Sequence, residues 1–156
     1  MIEAVRAASA DDVERLSALA EAAVAEQVDG RGGAIWSVRE ARPVPAARSF
    51  EDALGDPART VLCGTLDDAV VGYAVVGTEE LRDGEHLGVL ADIYVEPDAR
   101  EVGVGELLVE RSVEWCRERG CVGVDSLVLP GNRSSKNFFE MLGFTARALV
   151  VHKSLR

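Results

Sequence analysis

Apolar positions along the chain repeat with two periods, and the change from one to the other marks the elements. Val13, Leu16, Ala20, Ala23, Val24 and Gln27 recur at spacings of three and four, which predicts a helix with one buried face. Ser9 and Asp12 stand where a reciprocal capping pair would start it, after a short strand over residues 2–6. Gly30, Gly32 and Gly33 end this helix, and up to Pro57 the pattern is irregular, with short helices around residues 35–41 and 49–54. Three strands follow, over residues 60–66, 69–78 and 86–95. Asp67-Asp68 joins the first two as a hairpin, and the unbroken Val, Ala, Gly and Tyr content of the second predicts burial on both faces.

The helical period returns at residues 104–119, with Leu107, Leu108, Ser112, Trp115 and Cys116 as the buried stripe. Glu106 and Glu110 lie early in it, Arg117 and Arg119 late, and Gly120 stops it. A strand over residues 123–129 leads to Pro130-Gly131. A helix then starts at Asn132 with Ser135, Phe138, Phe139 and Leu142 along one face, and a closing strand spans residues 144–155. The order is β-α-(α)-β-β-β-α-β-α-β, an α/β (α+β) arrangement that 156 residues fit as one domain, residues 1–156.

Charge narrows the partners. With 17 basic against 27 acidic residues the net charge is −10, which argues against nucleic acid as a partner, because phosphate backbones are bound by Lys and Arg. Cationic, amine-bearing substrates suit such a surface better. Cys63, Cys116 and Cys121 have neither disulfide-framework nor zinc spacing, so they read as small buried residues of a reducing compartment and no metal site is expected. No apolar run of secretory or membrane-spanning length occurs. A soluble cytoplasmic protein without membrane contact is the expectation.

The stretch "LADIYVEPDAREVGVGELLVE", residues 90–110, passes from strand through a glycine turn into a helix. A dinucleotide-binding Gly-x-Gly-x-x-Gly fails, since its third glycine would fall at Leu108, and the Gly-x-x-x-x-Gly-Lys phosphate loop is absent. Amides freed at a helix start, in a turn without Cβ atoms, still form a pocket for an anion. Arg100-Glu101-Val102-Gly103-Val104-Gly105 resembles the (Gln/Arg)-x-x-Gly-x-(Gly/Ala) motif of the GCN5-related N-acetyltransferases, and "NRSSKNFFEMLGF" resembles a second segment of that family. The resemblance covers residues 60–155 well and the first strand and helix more loosely.

It implies a mixed central sheet of six to seven strands, splayed in the middle and flanked by about four helices, with acetyl-CoA as co-substrate in the splay. Backbone groups of Ile93, Tyr94 and Val95 would then address the acetyl carbonyl and pantetheine. Residues Arg100, Glu101, Val102, Gly103, Val104 and Gly105 would wrap the pyrophosphate. Asn132 and Ser135 would contact pantetheine or its thiol end, beside Phe138 and Phe139. Position 139, a tyrosine proton donor in many relatives, is Phe here. Tyr73 and Tyr94 are the only phenols left.

Acetyl transfer needs a neutral amine, a polarised thioester and a proton path. Asp92 is the candidate base, on the same strand face as Tyr94 by alternation unless a bulge shifts the parity; a structural hydrogen-bonding role for Asp92 stands beside this. Glu79, Glu80 and Glu85 are reserve bases, and His86 and His152 show no ligand spacing. Trp36, Arg39 and Arg42, in the irregular stretch before residue 58, are candidate substrate contacts. Arginines there could hold an anionic group, whereas the acidic remainder favours a polyamine, aminoglycoside or peptide amine. The expected activity is acetyl transfer to a primary amine of a small molecule or peptide, in a protein that could pair as a homodimer. The alternative is an acyl-CoA-binding sensor of the same fold that does not catalyse transfer.

Overall fold

The computed structural model describes all residues, Met1–Arg156. Five strands, β1 (Glu3–Ala7), β2 (Arg59–Leu66), β3 (Ala69–Glu80), β4 (His86–Val95) and β5 (Val124–Ser126), form one sheet in the order β1-β2-β3-β4-β5. The first four are antiparallel neighbours and β5 lies parallel to β4. Both residues of the Asp67-Asp68 turn have positive φ, 47° and 70°, the two-residue hairpin conformation that matches strand twist.

Helices cover both faces. On one side α1 (Val13–Gln27) and α3 (Ala46–Leu54) pack over Val61, Cys63, Tyr73 and Val75, with α2 (Gly33–Arg39) beside α1. On the other, α4 (Val104–Glu118) and α5 (Arg133–Met141) bury Leu62, Ala74, Val76 and Leu90. Residues 71–76 of β3 are all buried, as a strand feeding two cores requires. Two glycines set the depth of α4. A Cβ at Gly64 would stand 2.5 Å from a Val104 methyl carbon, and one at Gly88 would stand 2.4 Å from the Cys116 sulfur.

The entry to α1 is as the sequence predicts. Ser9 and Asp12 form the capping box, and Arg6 donates two bonds to Asp12, at 2.8 and 2.9 Å, joining β1 to the helix start. That guanidinium holds the Asp12 carboxyl below the usual carboxylate range.

Two features differ from the expectation. The sheet has five strands, with β5 limited to three residues, and the closing strand expected over residues 144–155 has no ladder partner in the chain. Phe144 packs against the α4 core, whereas Leu149, Val150, Val151 and Leu155 are exposed. Helices number five, because both short helices before residue 58 form.

Burial raises the thiols of Cys63 and Cys116 to about 11, whereas Cys121 is half-buried. A thiol-reactive chromogenic disulfide should therefore titrate one cysteine in the native protein and all three in denaturant. Rapid reaction of a second thiol under native conditions would show that one of these cores is open.

Candidate active site

The site grows from an interrupted ladder. β4 and β5 pair only from Gly88 with Val124 to Leu90 with Ser126, while β4 continues against β3 as far as Val95. At Ala91 the β3 ladder slips: Val75 faces Asp92 and Val76 faces Leu90, leaving Ala91 as an extra residue. This bulge reverses the strand's parity, so Leu90 serves the α4 core and Tyr94 the α1 core. Beyond Leu90 the β5-facing edge of β4 has no strand partner. A cleft of about 890 Å³ opens there, between β4, residues 126–129, the end of α1, the glycine turn and the start of α5.

At one end of the cleft lies the turn into α4. Glu101 and Gly103 have positive φ, 67° and 94°, and alternation of left-handed residues shapes a concave run of amides. The amides of residues 101–106 donate to no carbonyl or side chain in the chain. Six donors at the positive end of a fifteen-residue helix suit a pyrophosphate in chemistry and charge. Gly105 has a second task, for a Cβ there would stand 3.3 Å from the Phe138 ring. Its absence lets α5 close against α4. The carboxylates of Glu101 and Glu106 are exposed at the rim.

Arg100 fastens this turn rather than standing free. Its Nε donates to the Val95 carbonyl at 2.8 Å, its two terminal nitrogens donate to Glu26 at 2.8 and 2.7 Å, and its guanidinium lies over the Tyr94 ring. Glu26, which the sequence reading did not single out, thus ties α1 to the end of β4. The Arg100 guanidinium keeps its carboxyl below the ordinary range. Tyr94 is raised by burial and by that same carboxylate, so it holds its proton at neutral pH.

Asp92 and Arg42 are brought together, and this changes both expected roles. Arg42, its side chain 8% exposed, donates from Nε to Asp92 at 3.1 Å and from a second nitrogen to the other carboxylate oxygen, and also bonds Ser49 of α3. The Tyr73 hydroxyl donates to Asp92 at 2.6 Å. A carboxylate holding three donors from two side chains is a structural anchor, not a free base for an incoming amine. Arg42, in turn, has its charge consumed inside the protein and is no free receptor for a substrate anion. Tyr73 is fully buried, and burial with the Asp92 charge keeps it well above its ordinary value.

The other expected residues separate cleanly. Ile93, Tyr94, Val95, Arg100, Glu101, Gly103, Gly105, Asn132, Ser135, Phe138, Phe139 and Trp36 line the cleft. Val102 and Val104 face the α4 core, leaving only their amides to the site. Arg39 lies outside the cleft, on the surface, paired with Glu40 at 3.0 Å. The Asn132 side-chain oxygen accepts from the Ser135 amide and from the Ser134 hydroxyl, both at 3.1 Å, capping α5. Phe139 is buried edge-to-face between Phe138 and Phe144. No sequence signal announces Glu26, Tyr73 or Ser49 as partners: Glu26 meets Arg100 and Tyr73 meets Asp92 across the fold, and Ser49 meets Arg42 where the chain turns into α3.

Comparison with known proteins agrees with this geometry. Residues 16–144 match the model of the acetyltransferase (GNAT) family. The chain is 32% identical over 88 residues to glucosamine 6-phosphate N-acetyltransferase of Trypanosoma brucei brucei, covering 55% of this chain and 58% of that protein. It is 33% identical over 98 residues to aminoglycoside N(6')-acetyltransferase type 1 of Klebsiella aerogenes, covering 60% of this chain and 64% of that one. The chain thus spans less than two thirds of these relatives' lengths. A mutant protein of Bacillus halodurans shares the fold over the whole of both chains, with a TM-score of 0.85 at 22% identity. The aminoglycoside acetyltransferase AAC(6')-Iy in complex with a CoA-based bisubstrate analogue does so with a TM-score of 0.77 at 20% identity, over 100% of this chain and 99% of that one. With a family match across most of its length, a splayed sheet and an amide-lined turn at the splay, the chain belongs to the GNAT family of acetyltransferases.

Proposed function

We propose that this protein is an acetyl-CoA-dependent N-acetyltransferase, passing an acetyl group directly to a primary amine of a small molecule or peptide in a ternary complex. The run of unpartnered amides at residues 101–106, opening into the cleft along the free edge of β4, is the observation that carries this reading. The turn would hold the pyrophosphate. In a strand, alternate backbone groups point to each edge, so β4 beyond Leu90 offers donors and acceptors to pantetheine and to the acetyl carbonyl.

For the acceptor, a groove of about 340 Å³ adjoins the cleft at Ala91 and Arg42 and is bordered by Glu40, Glu79 and Arg59. The two carboxylates favour a cationic acceptor, and the similarity to glucosamine 6-phosphate and aminoglycoside N-acetyltransferases supports an amino sugar as the first to try. The amine nitrogen attacks the thioester carbon, the carbon–sulfur bond breaks, and the amine proton leaves through water toward Glu79. Tyr94, protonated and in the cleft, supplies the proton that the departing thiolate takes. The Asp92–Arg42 pair positions β4 and the segment before α3 around the acceptor. A sensor that binds acyl-CoA without transfer is the second reading, favoured by Phe139 and by the engagement of Asp92.

Incubation with acetyl-CoA and a panel of amino sugars, polyamines and peptides should release free thiol with at least one amine. Acetyl-CoA binding without any product across the panel would support the sensor instead. Gly103→Val forces a branched residue into the left-handed region, and calorimetry should show acetyl-CoA affinity at least tenfold weaker, about 1.4 kcal/mol. Unchanged affinity in a folded variant would remove the turn from the site.

Asp92→Asn leaves Arg42 buried without its counter-charge, so urea unfolding should show a loss of about 3 kcal/mol. A variant as stable as the parent but slower by ~10² or more would return Asp92 to the role of base. For the proton donor, Tyr94→Phe should lower turnover by more than about tenfold with the acetyl-CoA Michaelis constant little changed. Equal turnover would mean that water protonates the thiolate.

A further inference from the structure

We infer that Cys116 and Cys121 are a site of reversible oxidation, which a hydroperoxide closes into an intrachain disulfide at the C-terminal end of α4. The way that helix ends brings them together. Gly120 stands in the left-handed region, φ 71°; its amide donates to the Arg117 carbonyl at 3.0 Å, and the Cys121 amide donates to the Cys116 carbonyl at 3.1 Å. In a glycine-ended stop with these two bonds, the third helical residue from the end and the second residue beyond the cap turn their side chains toward each other. That contact is ordinarily apolar. Here both side chains are thiols, and Cys121 packs on the α4 core within hydrogen-bonding reach of the Cys116 sulfur. The backbone bond between the two residues also keeps their Cα atoms near each other, as a disulfide requires, since it spans about 4.4–6.8 Å between Cα atoms.

The two thiols are unequal, and this sets the order of events. Cys116 is 1% exposed, with its sulfur seated over Gly88 of β4, where a Cβ would stand 2.4 Å away. Cys121 is half-buried and is the sulfur that a small oxidant reaches first. Its thiolate attacks one oxygen of the hydroperoxide, the O–O bond breaks, Cys121 becomes a sulfenic acid, and the other oxygen leaves with a proton as water or an alcohol. Cys116 then attacks the Cys121 sulfur. The S–O bond breaks, and hydroxide departs with the Cys116 proton as water. Two thiols have given up two electrons and the peroxide has taken them. Burial pushes the Cys116 thiol up to about 11, so this closing attack is slow at neutral pH beside the capture of Cys121.

Cys63 takes no part. It is buried in the core on the other face of the sheet, which makes it an internal reference for any reaction of the pair. The closed bond ties the end of α4 to the approach to β5. There the Gly88 amide donates to the Gly123 carbonyl and the Val122 amide to the His86 carbonyl, both at 2.8 Å, so the root of the short ladder gains a covalent tether beside its hydrogen bonds.

To test this, the folded full chain is treated with hydrogen peroxide at a dose that oxidises free glutathione, its remaining thiols are alkylated, and the product is digested with trypsin. Cleavage after Arg111, Arg117, Arg119 and Arg133 leaves the two cysteines on separate peptides, residues 112–117 and 120–133. Mass spectrometry should find these two peptides joined and Cys63 alkylated, and a dithiol should release them. Without reductant, the undigested product should keep the monomer mass of 16.7 kDa. Sulfinic acid at Cys121 with Cys116 still alkylated would overturn the proposal, since the buried thiol would then not reach its partner. So would a link that joins two copies through Cys121, a link to Cys63, or both thiols still free for alkylation after the peroxide.

Discussion

The ladder between β4 and β5 stops after three residue pairs, and most of what is distinctive in the molecule follows from that stop. A parallel strand normally stays with its neighbour along its length, because each peptide group left behind loses a hydrogen bond. Here β4 keeps its β3 edge to Val95 and surrenders the other beyond Leu90, which leaves backbone groups facing a cleft instead of a strand. The bulge at Ala91 sits at the same place. It rotates the strand so that Asp92 and Tyr94 meet the α1 side while Leu90 stays under α4. One local irregularity both opens the cleft and chooses which side chains border it.

Around that opening, the fold is fastened by arginine–carboxylate pairs that cross long stretches of chain. Arg42 meets Asp92 fifty residues away, Arg100 meets Glu26 across 74, and Arg15 reaches Glu96 across 81. Two of these guanidinium groups make forked contacts with their carboxylates, and Arg100 also holds a main-chain oxygen. A planar, always-charged group suits this work better than lysine. The chain, rich in acids and nearly without lysine, supplies carboxylates wherever an arginine must be held. Arg15 and Arg100 stay part-exposed and act as geometric ties. Arg42 is enclosed, so its partner is obligatory.

How much of this the sequence displays depends on the range of the interaction. Hairpins, the α1 cap and the glycine turn are local events, and Asp67-Asp68, Ser9 with Asp12, and Gly103 announce them within a few residues. The double burial of β3 is also local, because its composition alone requires two cores. Nothing local tells that Asp92 will be occupied by Arg42 and Tyr73, or that Arg100 will turn toward Glu26. Those contacts depend on helices returning across the sheet, and single acidic and basic residues carry no period. Residues 144–155 are a third case. Their pattern predicts a strand that the chain does not form, because side chains alone cannot supply the neighbouring strand that a ladder needs.

The Arg42–Asp92 pair also bears on how this scaffold can be altered. The segment before α3, where acceptor preference would be tuned, is locked to β4 by an enclosed charge pair that also engages Ser49 and Tyr73. Transplanting that segment from a relative as an independent cassette would strand either a cation or an anion in the interior. Swaps that carry positions 42, 49, 73 and 92 as one unit keep the interior neutral. The chain is therefore modular only along boundaries that its charges allow, and these cut across the order of its sequence.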